Sequence, residues 1–185
     1  MNSRRLIAAL IATCFIAIPL LADEGHSHGA AAPSADFRSM VSGELTDVEK
    51  KVVSLAEAIP ADKYGWRPAE GVRSVAEVFM HLGQANYFLP TFAGVTPPQG
   101  IDLRSYDKAA TDKKDVIAAI HASYDHARKF VGGLSDADLS KEVDFFGQKK
   151  TLRDLLMIAV THSHEHLGQQ IAYARMNGIK PPWSN

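Results

Sequence analysis

The stretch that decides the fold runs from Thr151 to Asn177, TLRDLLMIAVTHSHEHLGQQIAYARMN. Thr151 is a candidate N-cap, and Asp154 in the first turn meets the positive end of the helix dipole. No proline interrupts the run until Pro181, and Gly178 supplies a stop signal before it. The spacing predicts one helix of roughly 39 Å at about 1.5 Å per residue, long for a small domain. Leu155 to Val160 is apolar all round, which predicts that neighbouring elements enclose the first half. Leu155, Ala159, His162, His166, Gln169 and Tyr173 then follow helical spacing along one side, so the two histidines continue the inward stripe.

Three earlier segments carry the same period. Phe37, Met40, Val41, Leu45, Val48, Val52, Leu55, Ala56 and Ile59 mark helix one, which ends before Pro60. Ser74 and Glu77 have capping-box spacing, and Val75, Val78, Phe79, Leu82, Ala85 and Leu89 form the inward stripe of helix two, with His81 at its border. Helix three runs from about Asp112 to Val131, with Val116, Ile117, Ile120, Tyr124, Ala127 and Val131 inward and Gly132-Gly133 closing it. Thr91 to Ala110 has no clear period, and connections of that length in a small domain are usually lids or binding loops. Val143 to Lys150 reads as a small hairpin-like excursion around Gly147. The expected fold is therefore all-α, a four-helix bundle with a long crossover loop between helices two and three.

Composition limits what such a domain can do. Residues 1–22 read as an export signal: Arg4 and Arg5, an uncharged apolar run from Leu6 to Leu21, then Ala22 before Asp23-Glu24. Cleavage after Ala22 leaves Leu20 at the −3 position, larger than the small residue preferred there; the alternative is a retained anchor. Cys14 lies midway through the apolar run, which argues against a lipoprotein. It is the only cysteine, so the exported chain has no disulfide, no thiol nucleophile and no thiolate ligand. Without Arg4 and Arg5, 18 basic residues face 21 acidic ones, a formal net charge of −3 that makes nucleic acid a poor partner. Residues 23–35 read as a flexible leader whose His26 and His28 are solvated, and residues 36–185 as the folded domain. The expected location is periplasmic or secreted, with no membrane association after signal cleavage.

The histidines carry the chemistry. His162 and His166 stand one turn apart on one face, and two such imidazoles can grip one divalent metal if a third ligand comes from elsewhere in the fold. His81 is the best placed, since helix two can face helix four. Buried imidazoles without partners cost about 1–3 kcal/mol each, and one metal ion satisfies all three. The competing reading is that the histidines merely pack. His164 is turned roughly 200° from its neighbours, and Glu165 points away from both candidate ligands. The zinc-protease pattern H-E-x-x-H does not apply, because Ser163 occupies the position of its glutamate. His121 and His126 fall outside the inward stripe of helix three and read as surface or flank residues. Gly168 suggests a close approach by another element, Gln169 a hydrogen bond to a ligand or a satisfied core amide, and Trp66 and Trp183 core or rim plugs.

Trp66-Arg67-Pro68, Ser74-Val75-Ala76-Glu77-Val78-Phe79-Met80-His81 and His162-Ser163-His164-Glu165-His166-Leu167-Gly168-Gln169 together resemble the DinB/YfiT-like family of four-helix-bundle metalloproteins. The resemblance covers most of the chain after the leader. It implies one metal-ligating histidine from the second helix and two, four apart, from the last, which carries over onto His81, His162 and His166. The export signal and the extra imidazole of His164 depart from the family pattern.

A three-His site holds a divalent metal ion, zinc or nickel, and leaves a coordination position open. This predicts a hydrolase using metal-bound water and acting on an unknown small-molecule substrate. The alternatives are a thiol-dependent S-transferase-like enzyme, suggested by relatives in the wider superfamily and weakened by export; a non-catalytic metal- or ligand-binding bundle; and a structural bundle paired with a second subunit as a homodimer.

Overall fold

The structure is a computed structural model that describes residues 36–184. The expected signal segment, the leader and His26 and His28 lie outside the described residues. Four α-helices and a two-stranded antiparallel sheet make up the regular structure described. Helix α1 spans Phe37–Ala58, α2 Val75–Phe88, α3 Lys113–Gly133 and α4 Leu152–Met176. Strands β1 (Glu142–Phe145) and β2 (Gln148–Thr151) pair in the excursion before α4, with Glu142 opposite Thr151 and Phe145 opposite Gln148. None of the described helices is long and apolar enough to cross a membrane.

Helices α1 and α2 each pack against both α3 and α4. Val41, Leu45, Val48, Val52 and Leu55 of α1 meet Val78, Phe79 and Leu82 of α2, Val116, Ile120 and Tyr124 of α3, and Leu156, Val160 and Leu167 of α4 in one apolar core. Their inward positions recur every three or four residues, the period that turns one face of each helix to the interior. Helix α2 is covered on nearly all sides. Only Glu77, His81, Gln84 and Phe88 are less than buried, and their spacing draws a single stripe along the helix.

The caps explain where the helices begin. The Ser74 hydroxyl accepts from the Glu77 amide at 3.2 Å, while the Glu77 carboxylate accepts from the Ser74 amide at 2.7 Å. Thr151 and Asp154 repeat this reciprocal arrangement at α4. Before α2, Arg67 lies 3.2 Å from Glu77 and donates to the Val72 carbonyl, while the Tyr64 carbonyl accepts from the Ala76 amide. The Trp66-Arg67-Pro68 and Ser74-Val75-Ala76-Glu77 segments thus fix the start of α2, and with it the height of His81 nearly two turns later.

The structure corrects several expectations drawn from periodicity. Gly132 and Gly133 lie inside the last turn of α3, neither at positive φ, and the helix ends at extended Leu134. Leu134 packs its side chain onto the core there, so burial rather than a left-handed cap sets the stop. Met157 is 41% exposed, so the apolar run at the start of α4 is not enclosed all round. The expected stripe of α4 is buried at its two ends, Leu155 and Tyr173, and half-buried at Ala159, His162, His166 and Gln169, while an adjoining row through Leu152, Leu156, Val160, Ser163, Leu167, Gln170 and Ala174 is buried throughout. Residues 91–110 are a structured connection: a 3₁₀ turn at Leu89–Ala93, then Tyr106 buried edge-on against Tyr87 of α2 at 5.4 Å. The close approach expected at Gly168 occurs instead at Gly83, where an added Cβ would come within 3.3 Å of Ser123 Oγ and of the Tyr106 ring.

Gly168 itself is exposed, and a Cβ there would meet nothing within 4 Å. Gly168→Ala is therefore expected to stabilise the fold by up to about 1 kcal/mol through helix propensity alone. Urea denaturation measures it, and a destabilised variant would show that the open space is illusory.

Candidate metal centre

Helix α2 brings His81 opposite His162 and His166 of α4. Ring centroids lie 5.3 Å apart for His81 and His162, 4.8 Å for His81 and His166, and 4.4 Å for His162 and His166, all edge to face. One nitrogen from each ring can be chosen so that all three lie within 4.8 Å of one another. All three side chains are half-buried, at the border between core and solvent.

Two of the rings are held by a glutamine three residues on. His81 Nδ1 lies 3.0 Å from Gln84 Oε1, and Gln84 Nε2 donates to the Leu103 carbonyl at 2.5 Å. His166 Nδ1 lies 2.8 Å from Gln169 Oε1; Gln169 Nε2 donates to the Tyr173 hydroxyl at 3.0 Å, and that hydroxyl donates to the Arg73 carbonyl at 3.2 Å. These end points settle the protons. A carbonyl can only accept, so each amide must turn its NH2 outward and its oxygen to the imidazole. Nδ1 of His81 and of His166 is then the protonated nitrogen, and Nε2 of each carries the lone pair. His162 Nε2 is buried with no hydrogen-bond partner among the described residues.

The electrostatics favour neutral rings. Burial pushes His162 down to about 4, reinforced by His166 and His81 as potential like charges and by Arg73. His81 is lowered in the same way by burial, against the opposing hydrogen bond to Gln84. The folded chain thus refuses protons that the unfolded chain, with histidine near 6.5, accepts. The stability this contributes is present above pH 6.5 and is lost as pH falls toward about 4. Urea midpoints of the chelator-treated protein are therefore expected to drop across that window. His162→Gln should flatten the drop, and an unchanged slope would show that His162 does not cause it.

His81 and His162, but not His166, border a cavity of about 450 Å³. Gln84 and Phe88 of α2, Leu103 and Arg104 of the connection, Phe145 and Phe146 of the hairpin and Ile158 of α4 form its walls. The volume lies in the range of small-molecule sites.

The remaining candidates are placed elsewhere. His164 is exposed, 3.7 Å from Glu44 of α1, and Glu165 is exposed with no ion pair among the described residues. His121 bonds Glu49 Oε1 at 2.9 Å on the outer surface. His126 is half-buried and tilted onto Tyr87 at 5.0 Å. Trp66 packs edge-on to Tyr173 at 5.4 Å, at the end of the Gln169 chain, and Trp183 is a 39% exposed rim residue. Sequence reasoning weighed Gln169 without assigning it to His166 and missed Gln84 altogether. The repeated H-x-x-Q spacing, His81 to Gln84 and His166 to Gln169, is the signal that could have found both.

Comparison with known proteins identifies the family and the fold. The chain is 28% identical over 127 residues to the uncharacterized protein YjoA of Bacillus subtilis, covering 67% of this chain and 80% of that one. A DinB-like protein from Bacillus cereus superposes with a TM-score of 0.68 at 18% identity, covering 78% of this chain and 95% of that one. The DinB-like YjoA structure from Bacillus subtilis gives 0.63 at 22% identity over 78% of this chain and 96% of its own. At these identities the structural likeness concerns the fold. The DinB superfamily model matches residues 44–170, a span that carries all three histidines and both glutamines, and the chain belongs to that superfamily.

Proposed function

We propose that the four helices form a DinB-type bundle that binds one divalent metal ion through His81, His162 and His166, and that the protein is an exported metal-dependent hydrolase of a small molecule. The observation that carries the metal reading is the protonation pattern. Two imidazoles have Nδ1 committed to glutamine oxygens and Nε2 left with its lone pair, and the third has a buried Nε2 with no partner. A buried ring nitrogen left unpaired is costly, and neutral imidazole is a good donor to zinc or nickel. When bound, such an ion supplies Lewis acidity toward a substrate oxygen and acidifies water.

The chain's own residues supply the rest. Gln84 and Gln169 hold two rings in one tautomer and orientation, as outer partners of metal-binding histidines commonly do. The cavity reaches the centre from the side of His81 and His162, so a substrate arrives over those two rings. Phe88, Phe145, Phe146 and Ile158 keep that approach apolar, which strengthens electrostatic interactions within it. Among the described residues no carboxylate lines the cavity. The apolar signal-like run from Leu6 to Leu21 supports export.

Metal analysis of the purified protein after repletion with zinc or nickel tests the reading, with about one ion per chain expected. Hydrolysis of 4-nitrophenyl acetate should fall on chelation and return with metal. No bound metal after repletion would sink the metalloprotein reading; turnover unaffected by chelation would sink the hydrolase.

A further inference from the structure

Phe146 occupies a position that its residue type does not favour. The turn between β1 and β2 has φ 54° at Phe146 and 79° at Gly147, the left-handed pair of a two-residue hairpin for which Asn-Gly is preferred. A bulky side chain at positive φ is an outlier, and here the ring is 70% exposed, so burial does not account for it. The ring instead extends an aromatic wall, 4.8 Å from Phe145, 5.3 Å from Phe92 and 6.1 Å from Phe88 between centroids, and it borders the cavity beside His81 and His162. Residues that break a local rule are the ones most worth reading for function.

The same lining carries one charge. Arg104 is the only charged residue bordering this cavity, it is exposed, and its guanidinium has no ion-pair partner among the described residues. Its position is fixed locally, because its amide donates to Asp102 Oδ1 at 3.0 Å and the carbonyl of Leu103 beside it accepts from Gln84. The loop that carries the free guanidinium is therefore tied to the amide that orients His81.

We infer that the cavity binds a small amphipathic monoanion, an aromatic or branched apolar body against Phe88, Phe145 and Phe146 with one carboxylate paired to Arg104. This rests on the cavity serving the histidine centre, as proposed above. A single planar guanidinium matches one carboxylate by two parallel hydrogen bonds, and among the described residues no second lysine or arginine lines the cavity. The geometry leaves the far end of the body over His81 and His162.

Calorimetric titration with 4-phenylbutanoate and its neutral isostere 4-phenylbutanamide tests this in chelator-treated protein, where no metal competes for the carboxylate. The acid is expected to bind about fivefold to tenfold tighter than the amide, a discounted effect for an exposed cation. Arg104→Met should bring the acid to the level of the amide and leave the amide unchanged. Phe146→Asn suits the turn and removes the ring, so the variant should fold at least as well while weakening both ligands about fivefold. His164→Ala, which lies beside Glu44 and away from the cavity, should retain the preference for the acid. Equal binding of acid and amide, binding of neither, or a preference that survives Arg104→Met would overturn the inference. A preference seen only in zinc-loaded protein and indifferent to Arg104→Met would assign the carboxylate to the metal, overturning the Arg104 pairing while the metal reading stands. A preference lost with Arg104 in a protein that binds no zinc would do the reverse.

Discussion

His162→Ala is expected to lower divalent-metal affinity by more than a hundredfold, and His81→Ala and His166→Ala to do the same. Losing an outer hydrogen-bond partner of a metal-binding histidine costs about 10–100-fold, and losing the donor nitrogen itself must cost more. The readout can be made independent of activity. Free zinc at about 100 times its dissociation constant stabilises a folded protein by about 2.7 kcal/mol. For a domain of this size that corresponds to a rise in Tm of about 5–10 °C. The wild type should show that rise and each alanine variant should lose it at the same zinc concentration. The rings are half-buried rather than central to the core, so the metal-free variants should still fold, which circular dichroism verifies. His162→Ala also removes a buried nitrogen that has no partner, so the metal-free variant loses an unfavourable group together with some packing. A zinc-induced rise that persists in all three variants would exclude these residues as the ligand set. His164→Ala is the control, since that ring lies beside Glu44 and away from the centre.

The second large effect is expected one hydrogen bond further out. Gln84→Leu keeps the approximate shape of the side chain and removes both of its bonds, leaving His81 Nδ1–H unpaired and the Leu103 carbonyl without its donor. The His81 ring then gains rotational freedom, and its Nε2 must be ordered at the moment of binding. Metal affinity should fall by about 10–100-fold. Gln169→Leu removes the matching bond to His166 together with the contact to the Tyr173 hydroxyl, and a fall of the same size is expected. Gln84→Glu separates orientation from mere packing. A carboxylate accepts from Nδ1 at least as well as an amide oxygen and raises the basicity of the ring, but it cannot donate to Leu103. Zinc affinity in Gln84→Glu should therefore stay near that of the wild type, while the connection carrying Leu103 is loosened. Equal loss in the leucine and glutamate variants, measured by competition with a chromogenic chelator, would mean that the Leu103 tether matters and the Nδ1 bond does not.

The helices could be read from spacing because a helix that buries one face must repeat its apolar residues every three or four positions. Val75, Val78, Phe79, Leu82 and Leu89 did so, and all are buried. Capping was equally legible at Ser74 and Thr151, since the bonds there join residues three apart in the chain. Periodicity was less reliable at α4. It placed His162 and His166 on the inward stripe, and that row is buried at Leu155 and Tyr173 but only half-buried at the histidines, while the row covered throughout runs beside it through Ser163, Leu167 and Gln170. Histidine row and buried row are only about 100° apart on the helix wheel, and the sequence does not say which row the neighbours cover. Gly168 failed for a related reason: a glycine in a helix announces a missing side chain, but not whether something fills the space.

Sequence by itself determined the helix-forming segments, their caps, the spacing that puts His162 and His166 on one face, and the motifs that resemble the DinB family. These are local properties, set by residues within a turn or two of each other. Tertiary structure alone decided that His81 meets the pair, that Gln84 and Gln169 turn their oxygens to Nδ1, and that Phe146 and Arg104 border the same cavity. Leu103 lies 19 residues from Gln84, Arg73 lies 100 from Tyr173, and Phe146 lies 16 from His162. Contacts across such separations depend on how the helices pack, and packing follows from the sum of many apolar contacts rather than from any short motif.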